Sequence, residues 1–235
     1  MDIEKDLQNL ESMPFSEIRA TLTENMFHIV VWNMMNLSQR VRLLQMLENN
    51  LACRDGRTPS EIEVIPKLRS LASASKLTNK IRISQWHLTF GFNGLDNLNA
   101  QIYCAVCHEH EHFNQFIDAE SEKSDKKTEE CRINLKFIFP YSGASVQDYI
   151  DYRLQPIEYY AHKLSEEQTI STFKRLEKKF GEDKGYREWY DVVSLGSVES
   201  LIQIYNSEYF TTCNFDELYA SIINKIVDYV KKSTL

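Results

Sequence analysis

Apolar residues recur at helical spacing through the first 80 positions. Phe15, Ile18, Leu22, Met26 and Ile29 follow Pro14 at steps of three and four, the spacing of one helix face. Ser38 stands before Val41, Leu44 and Leu47 as an N-cap stands before an apolar stripe. Thr58-Pro59-Ser60-Glu61 has the form of a capping box with proline at the first helical position. The pattern changes after residue 80. Ile81 and Ile83 alternate with polar residues, and Trp86, Leu88, Phe90 and Phe92 alternate with the phase shifted by one, which predicts strands joined by a bulge near Ser84–Gln85. Gln101 to Phe116 reads as a second extended run. Cys131, Ile133, Leu135, Phe137 and Phe139 alternate with polar neighbours and predict a half-buried strand.

The last third returns to helix. Val146, Ile150, Leu154, Ile157, Ala161 and Leu164 form one stripe, interrupted by Pro156. Ser165 opens a capping box, and Gly181 closes that helix. Asn214-Phe215-Asp216-Glu217 opens a final amphipathic helix bearing Leu218, Tyr219, Ile222, Ile223, Ile226 and Val230. These patterns predict an α+β fold. A mainly helical region, 1–80, precedes a small antiparallel sheet over 81–140. A solvated, mobile loop at 118–130 lies inside that sheet region, and 141–235 is helical. The three regions are compatible with a single domain.

Composition narrows the classes. The chain has 235 residues, 43% of them hydrophobic and 26% charged, which fits a folded globular protein and excludes a disordered chain. Seven glycines and five prolines are too few for the turns of a β-sandwich or barrel. The net charge is −7, and no third of the chain is basic, so nucleic acid is a poor expectation and another protein a better one. No apolar run approaches the roughly 20 residues that span a bilayer, and the start, MDIEKD, lacks the form of a signal peptide. An odd count of five cysteines points to a reducing, cytoplasmic setting.

One constellation could carry chemistry. Cys104-Ala-Val-Cys107-His108-Glu-His110-Glu-His112 holds three of the six histidines. In a pleated strand, residues at i, i+2 and i+4 share a face, so His108, His110 and His112 would point together and offer imidazoles to Zn²⁺ with a position open for water. A structural zinc could instead use Cys104 and Cys107 with His110 or His112 and Cys131. The plainer reading makes the cysteines small core hydrophobes and leaves the histidines in solvent. No nucleotide-cradling glycine loop or serine-hydrolase elbow occurs.

Tyrosine is distributed unevenly, with eleven of twelve in 141–235. On a helix over 146–164, Tyr152 and Tyr159 fall opposite the apolar stripe, beside Asp148 and Asp151, a composition that suits a protein-binding face. The expectation is a non-enzymatic protein that binds another protein through its C-terminal helices, of inhibitor, immunity or host-interaction type. The alternative is a zinc-dependent hydrolase or a zinc-stabilised protein centred on the Cys104–His112 cluster.

Overall fold

A computed structural model describes residues 2–90, 98–141 and 144–233. It is 72% helical and carries one small three-stranded sheet, so the fold is α+β with helix dominant. The chain divides into two compact units. The first is Met1–Asn114 with Leu164–Tyr190, and the second is Gln115–Lys163 with Asp191–Leu235. Among the described residues, no helix is long and apolar enough to cross a membrane.

The first unit begins with α1 (Ile3–Ser12), α2 (Glu17–Asn25), α3 (Ile29–Met34) and α4 (Leu37–Arg54). Side chains satisfy the N–H groups that open these helices. Asp2 accepts from Lys5 N, Ser16 from Arg19 N, and Asn36 with Gln39 forms a reciprocal capping box on α4. The cap of α4 is therefore Asn36, two residues earlier than Ser38. The expected apolar stripe is divided: Phe15, Ile18 and Leu22 are exposed, and Met26, just past α2, is buried. The helix instead turns Thr23 inward, where its hydroxyl accepts from Asn50 Nδ2 at 3.1 Å.

The sheet lies earlier than the sequence pattern places it. Strands β1 (Glu61–Ile65), β2 (Ala72–Ser75) and β3 (Lys80–Ser84) run in the order β1-β3-β2. β1 is parallel to β3 with Ile62 opposite Ile81, and β2 is antiparallel to β3 with Ala74 opposite Ile81. The expected capping box at Thr58–Glu61 is thus the entry to a strand. There the carboxylate of Glu48 accepts from Ser60 N at 2.8 Å, which anchors the chain in extended form.

Past β3 the middle of the chain is helical: α5 (Gln85–Phe90), α6 (Leu98–Glu120) and α7 (Lys126–Asn134). The predicted antiparallel sheet over 81–140 therefore survives only as β3, and Phe92 lies outside the described residues. In α5, Leu88 is fully buried while Trp86 and Phe90 are exposed with rings 4.7 Å apart. Residues i and i+4 share a helix face and i+2 lies across it, so the apparent bulge marks the change from strand to helix. The polar stretch 118–130 holds the end of α6, a short turn and the start of α7. Asp125 caps α7 by accepting from Thr128 N at 3.0 Å. Beyond α7 no strand partner serves Phe139, and the Gln155 side chain takes that place. Its Oε1 accepts from Phe139 N at 2.9 Å and its Nε2 donates to Phe139 O at 3.0 Å.

The core of the first unit gathers Phe27, Trp32, Leu43, Leu44, Leu47, Ile81, Ile83, Ile102, Tyr103 and Phe173. A buried carboxylate ties it together. Asp183, ahead of α10 (Lys184–Leu195), accepts from Ile29 N at 2.8 Å, from Tyr186 N at 2.9 Å and from Asn99 Nδ2 at 2.8 Å.

Among its described residues the second unit has helices and no strand. It contains the end of α6, α7, α8 (Val146–Leu154), the start of α9 (Pro156–Phe180), the end of α10, α11 (Val198–Tyr209) and α12 (Phe215–Ser233). Pro156 begins α9 and does not interrupt a single helix over 146–164. Proline suits a first helical position, where its missing N–H costs nothing. Gly181 closes α9 with φ +95°, as expected of a helix-ending glycine. Asn214 and Glu217 form the expected capping box of α12, bonded at 2.9 and 3.0 Å. Ile150, Leu154, Leu201, Leu218, Ile222 and Ile226 make the core.

Candidate functional site

Helix geometry splits the histidine cluster, and His108-Glu109-His110-Glu111-His112 is an H-E-x-x-H run on helix α6. At about 100° per residue, His108 and His112 fall one turn apart on one face of α6, and His110 points nearly opposite. The His108 and His112 rings lie 4.6 Å apart, edge to face. Cys104 lies one further turn along the same side, with Sγ 3.7 Å from Ser165 Oγ. Cys107 is buried one turn before His110. Cys131 is buried on α7 in the other unit. The common face that a strand would have supplied is absent, because α6 is helical throughout.

His110 has a different environment. Its Nδ1 is 2.9 Å from Glu48 Oε2, and its Nε2 is 2.8 Å from Asp55 Oδ2. An ionised carboxylate only accepts, so both neighbours favour the imidazolium form of the ring. Burial disfavours that charge, but the hydrogen bonds to Asp55 and Glu48 outweigh it and raise the His110 pKa above its ordinary value. Asp55 caps α4 and is held well below the usual carboxylate range. Burial works against this, and hydrogen bonds from His110, Arg54 and Asn114 prevail. Arg57 completes the set. Its Nη2 donates to Glu48 Oε1 at 2.7 Å and also abuts His110 Nδ1. Two cations thus face two carboxylates in a buried network, which limits the desolvation cost.

A half-open cleft of about 400 Å³ borders this network inside the first unit. Glu24, Arg54, Cys107, His110, Glu111 and Thr172 line it. The Cys107–His110 pair has the spacing of a nucleophile and base on successive turns, but its protonation is wrong for that chemistry. Burial, with the Cys104 and Glu24 charges, pushes the Cys107 thiol far up, whereas a reactive thiol is lowered. Both nitrogens of His110 are already committed to carboxylates, so neither can take a proton from the thiol. Glu24 is raised by burial despite its ion pair with Arg175.

The second unit places the candidate partner-binding residues individually. Tyr159 packs on Tyr160, Phe215 and Tyr219 with centroids 5.2–5.5 Å away, so α12 covers it. Asp151 is buried and accepts from Lys225 Nζ at 2.8 Å. Asp148 stands in the first turn of α8, where its charge suits the helix dipole. The Tyr152 ring leans on Tyr141 at 5.5 Å. Glu130 accepts from Tyr219 at 2.7 Å and Tyr160 at 3.0 Å, and burial pushes the Tyr160 phenol up to about 12.

The turn between α11 and α12 lies outside every sequence motif described above. Phe210 is 96% exposed and has φ +51°. A bulky residue in left-handed backbone is uncommon. The turn is tightly held: Asn206 Nδ2 donates to Cys213 O at 2.8 Å, and Thr211 Oγ1 donates to Asn206 Oδ1 at 2.7 Å. The adjacent pair Tyr209-Phe210, outside both apolar stripes, was the available signal. No family model, no curated protein and no solved structure matches the chain.

Proposed function

We propose that the chain is a non-enzymatic binding protein that engages another protein through its C-terminal helical unit. The observation that carries this reading is Phe210, an exposed aromatic on strained but well-held backbone. Strain of this kind, of order 1–3 kcal/mol, gathers at functional positions. A large ring presented by a rigid turn loses little entropy on docking, and such side chains serve as interface anchors. Glu208, Asp216 and Glu217 are exposed close by in sequence. The fitting partner is therefore a protein with an apolar pocket rimmed by basic residues, and an inhibitor or immunity role is compatible with it.

Quantitative affinity capture with the full chain, followed by reconstitution with the purified partner, tests the reading. Phe210→Asn is the variant of choice, since asparagine tolerates left-handed backbone. The expected result is at least tenfold weaker binding with a melting temperature that is not lowered. Equal affinity for both proteins refutes the proposal.

A second reading retains zinc. His108 and His112, one turn apart with adjacent rings, would supply two of the four ligands a tetrahedral Zn²⁺ takes. Elemental analysis after dialysis against a chelator tests it. About one zinc per chain, lost in His108→Ala and in His112→Ala, supports the reading, and less than about 0.2 per chain removes it, given the tightness of structural zinc sites.

A further inference from the structure

We propose that the outer edge of β2 is a docking site for an extended acidic segment of another protein, which would add a fourth strand to the sheet. This site lies in the first unit and does not depend on Phe210. The two edges of the sheet differ. Gln45 of α4 covers the β1 edge: its Oε1 accepts from Ile62 N at 2.8 Å, and its Nε2 donates to Ser60 O at 2.9 Å. β2 has no such cover among the described residues. Ser84 N donates to Leu71 O at 2.9 Å, so Leu71 and Ser84 form a hydrogen-bonded pair. Such pairs alternate along an antiparallel ladder, and Ser73 opposite Arg82 is the next one. Ala72 and Ala74 therefore turn their backbone N–H and C=O groups outward.

An exposed edge is normally blunted by proline, a bulge or a charge on the strand. β2 reads Ala-Ser-Ala-Ser, four half-buried residues, and its short length is the one such protection it has. Charge selects the occupant. Residues 64–83 contain five Lys and Arg, of which Lys80 and Arg82 are balanced by Glu61 and Glu63 of β1, so the selecting charges are Lys67 and Arg69. Glu63 holds Lys80 and Arg82 at 3.0 and 3.1 Å. Lys67 and Arg69, on the segment leading into β2, are exposed. Leu77, just past β2, is 99% exposed and offers an apolar contact. Strand addition takes its affinity from the backbone and its selectivity from flanking side chains.

The probe is a fluorescently labelled peptide of six alternating Asp and Val residues, titrated by anisotropy against the full chain. It is expected to bind at least tenfold tighter than a Lys/Val counterpart. Two N-methylated isomers, one methylated at every Val and one at every Asp, lack N–H groups on opposite edges. One isomer should lose binding and the other keep it. Lys67→Glu with Arg69→Glu should weaken binding at least tenfold with an unchanged melting temperature. Ala74→Pro, which removes an outward N–H at an edge position that tolerates proline, should abolish it. Four results would overturn the proposal: no binding at 1 mM peptide (about −4 kcal/mol), equal binding of the Lys/Val peptide, the same response from both methylated isomers, or a self-association abolished by Ala74→Pro, which would make a second copy the occupant.

Discussion

The two units solve the same packing problem with different materials. In the first, polar groups are taken inside and matched. Glu48 and His110 are buried and the Arg57 side chain is packed against them, and the Asp183 carboxylate serves three N–H donors from α3, α6 and α10. In the second, the centre is aliphatic, with Ile150, Leu154, Leu201, Leu218, Ile222 and Ile226 in one cluster and aromatic rings around it. An apolar core tolerates rearrangement and loses stability roughly in proportion to the volume removed. A satisfied polar network has fixed directions, and removing one member strands the others. The first unit should therefore be brittle at a few polar positions, and the second graded across many apolar ones.

The sharpest test is Asp183→Ala. It leaves the Ile29 and Tyr186 N–H groups and the Asn99 amide without their acceptor, at about 1–3 kcal/mol for each buried orphan. We expect a loss of 4 kcal/mol or more in urea unfolding, and a loss below 1 kcal/mol would show that the network is not what holds the first unit. Ile222→Ala in the second unit should cost about 3 kcal/mol through the cavity it leaves, and Ile222→Val about 1 kcal/mol. A steep loss for Val would mean that this core too depends on exact shape.

Next in size is the pH response. The pKa of His110 is raised in the folded chain, so its stabilisation is complete below the unfolded imidazole value near 6.5 and is lost as pH rises through the higher folded value. Wild-type stability should therefore decline above about pH 6.5, and His110→Gln should remove that decline. An identical pH profile in the two proteins would contradict the imidazolium assignment. The carboxylate of Asp55 is lowered, so its share is present above the unfolded carboxyl value near 3.9 and disappears as the solution is acidified below it. The smallest effect has the opposite sign. Phe210→Gly relieves left-handed strain and should raise stability by up to about 1 kcal/mol while weakening partner binding. A destabilised Phe210→Gly protein would mean that the ring is held by packing.

Much of the helical framework was legible in the chain. The Asn214–Glu217 box, the stripe of α12 and the stop at Gly181 all stand where local pattern places them, because caps and apolar stripes act within one or two turns. The middle third was not legible, and one ambiguity accounts for three errors there. Trp86, Leu88 and Phe90; His108, His110 and His112; Cys131, Ile133 and Leu135 each repeat a type at i, i+2 and i+4. A strand gathers such a triplet on one side, whereas a helix keeps the outer two together and sends the middle one across. Runs this short do not separate the two periods. The sites depended on that choice. Asp55 and Glu48 lie more than fifty residues before His110 in sequence, and no local spacing announces their meeting.

What the residues alone settled was the prevalence of helix, the Asn214 box that starts α12 and the glycine that stops α9, whereas Ser165, expected to open a helix, lies inside α9. The features that were settled follow from interactions between near neighbours. Only the folded chain decided which carboxylates flank His110, which sheet edge α4 covers, and that Phe210 stands out in solvent. Those outcomes depend on long-range burial, where a polar group is stable only if distant parts of the chain bring it a partner.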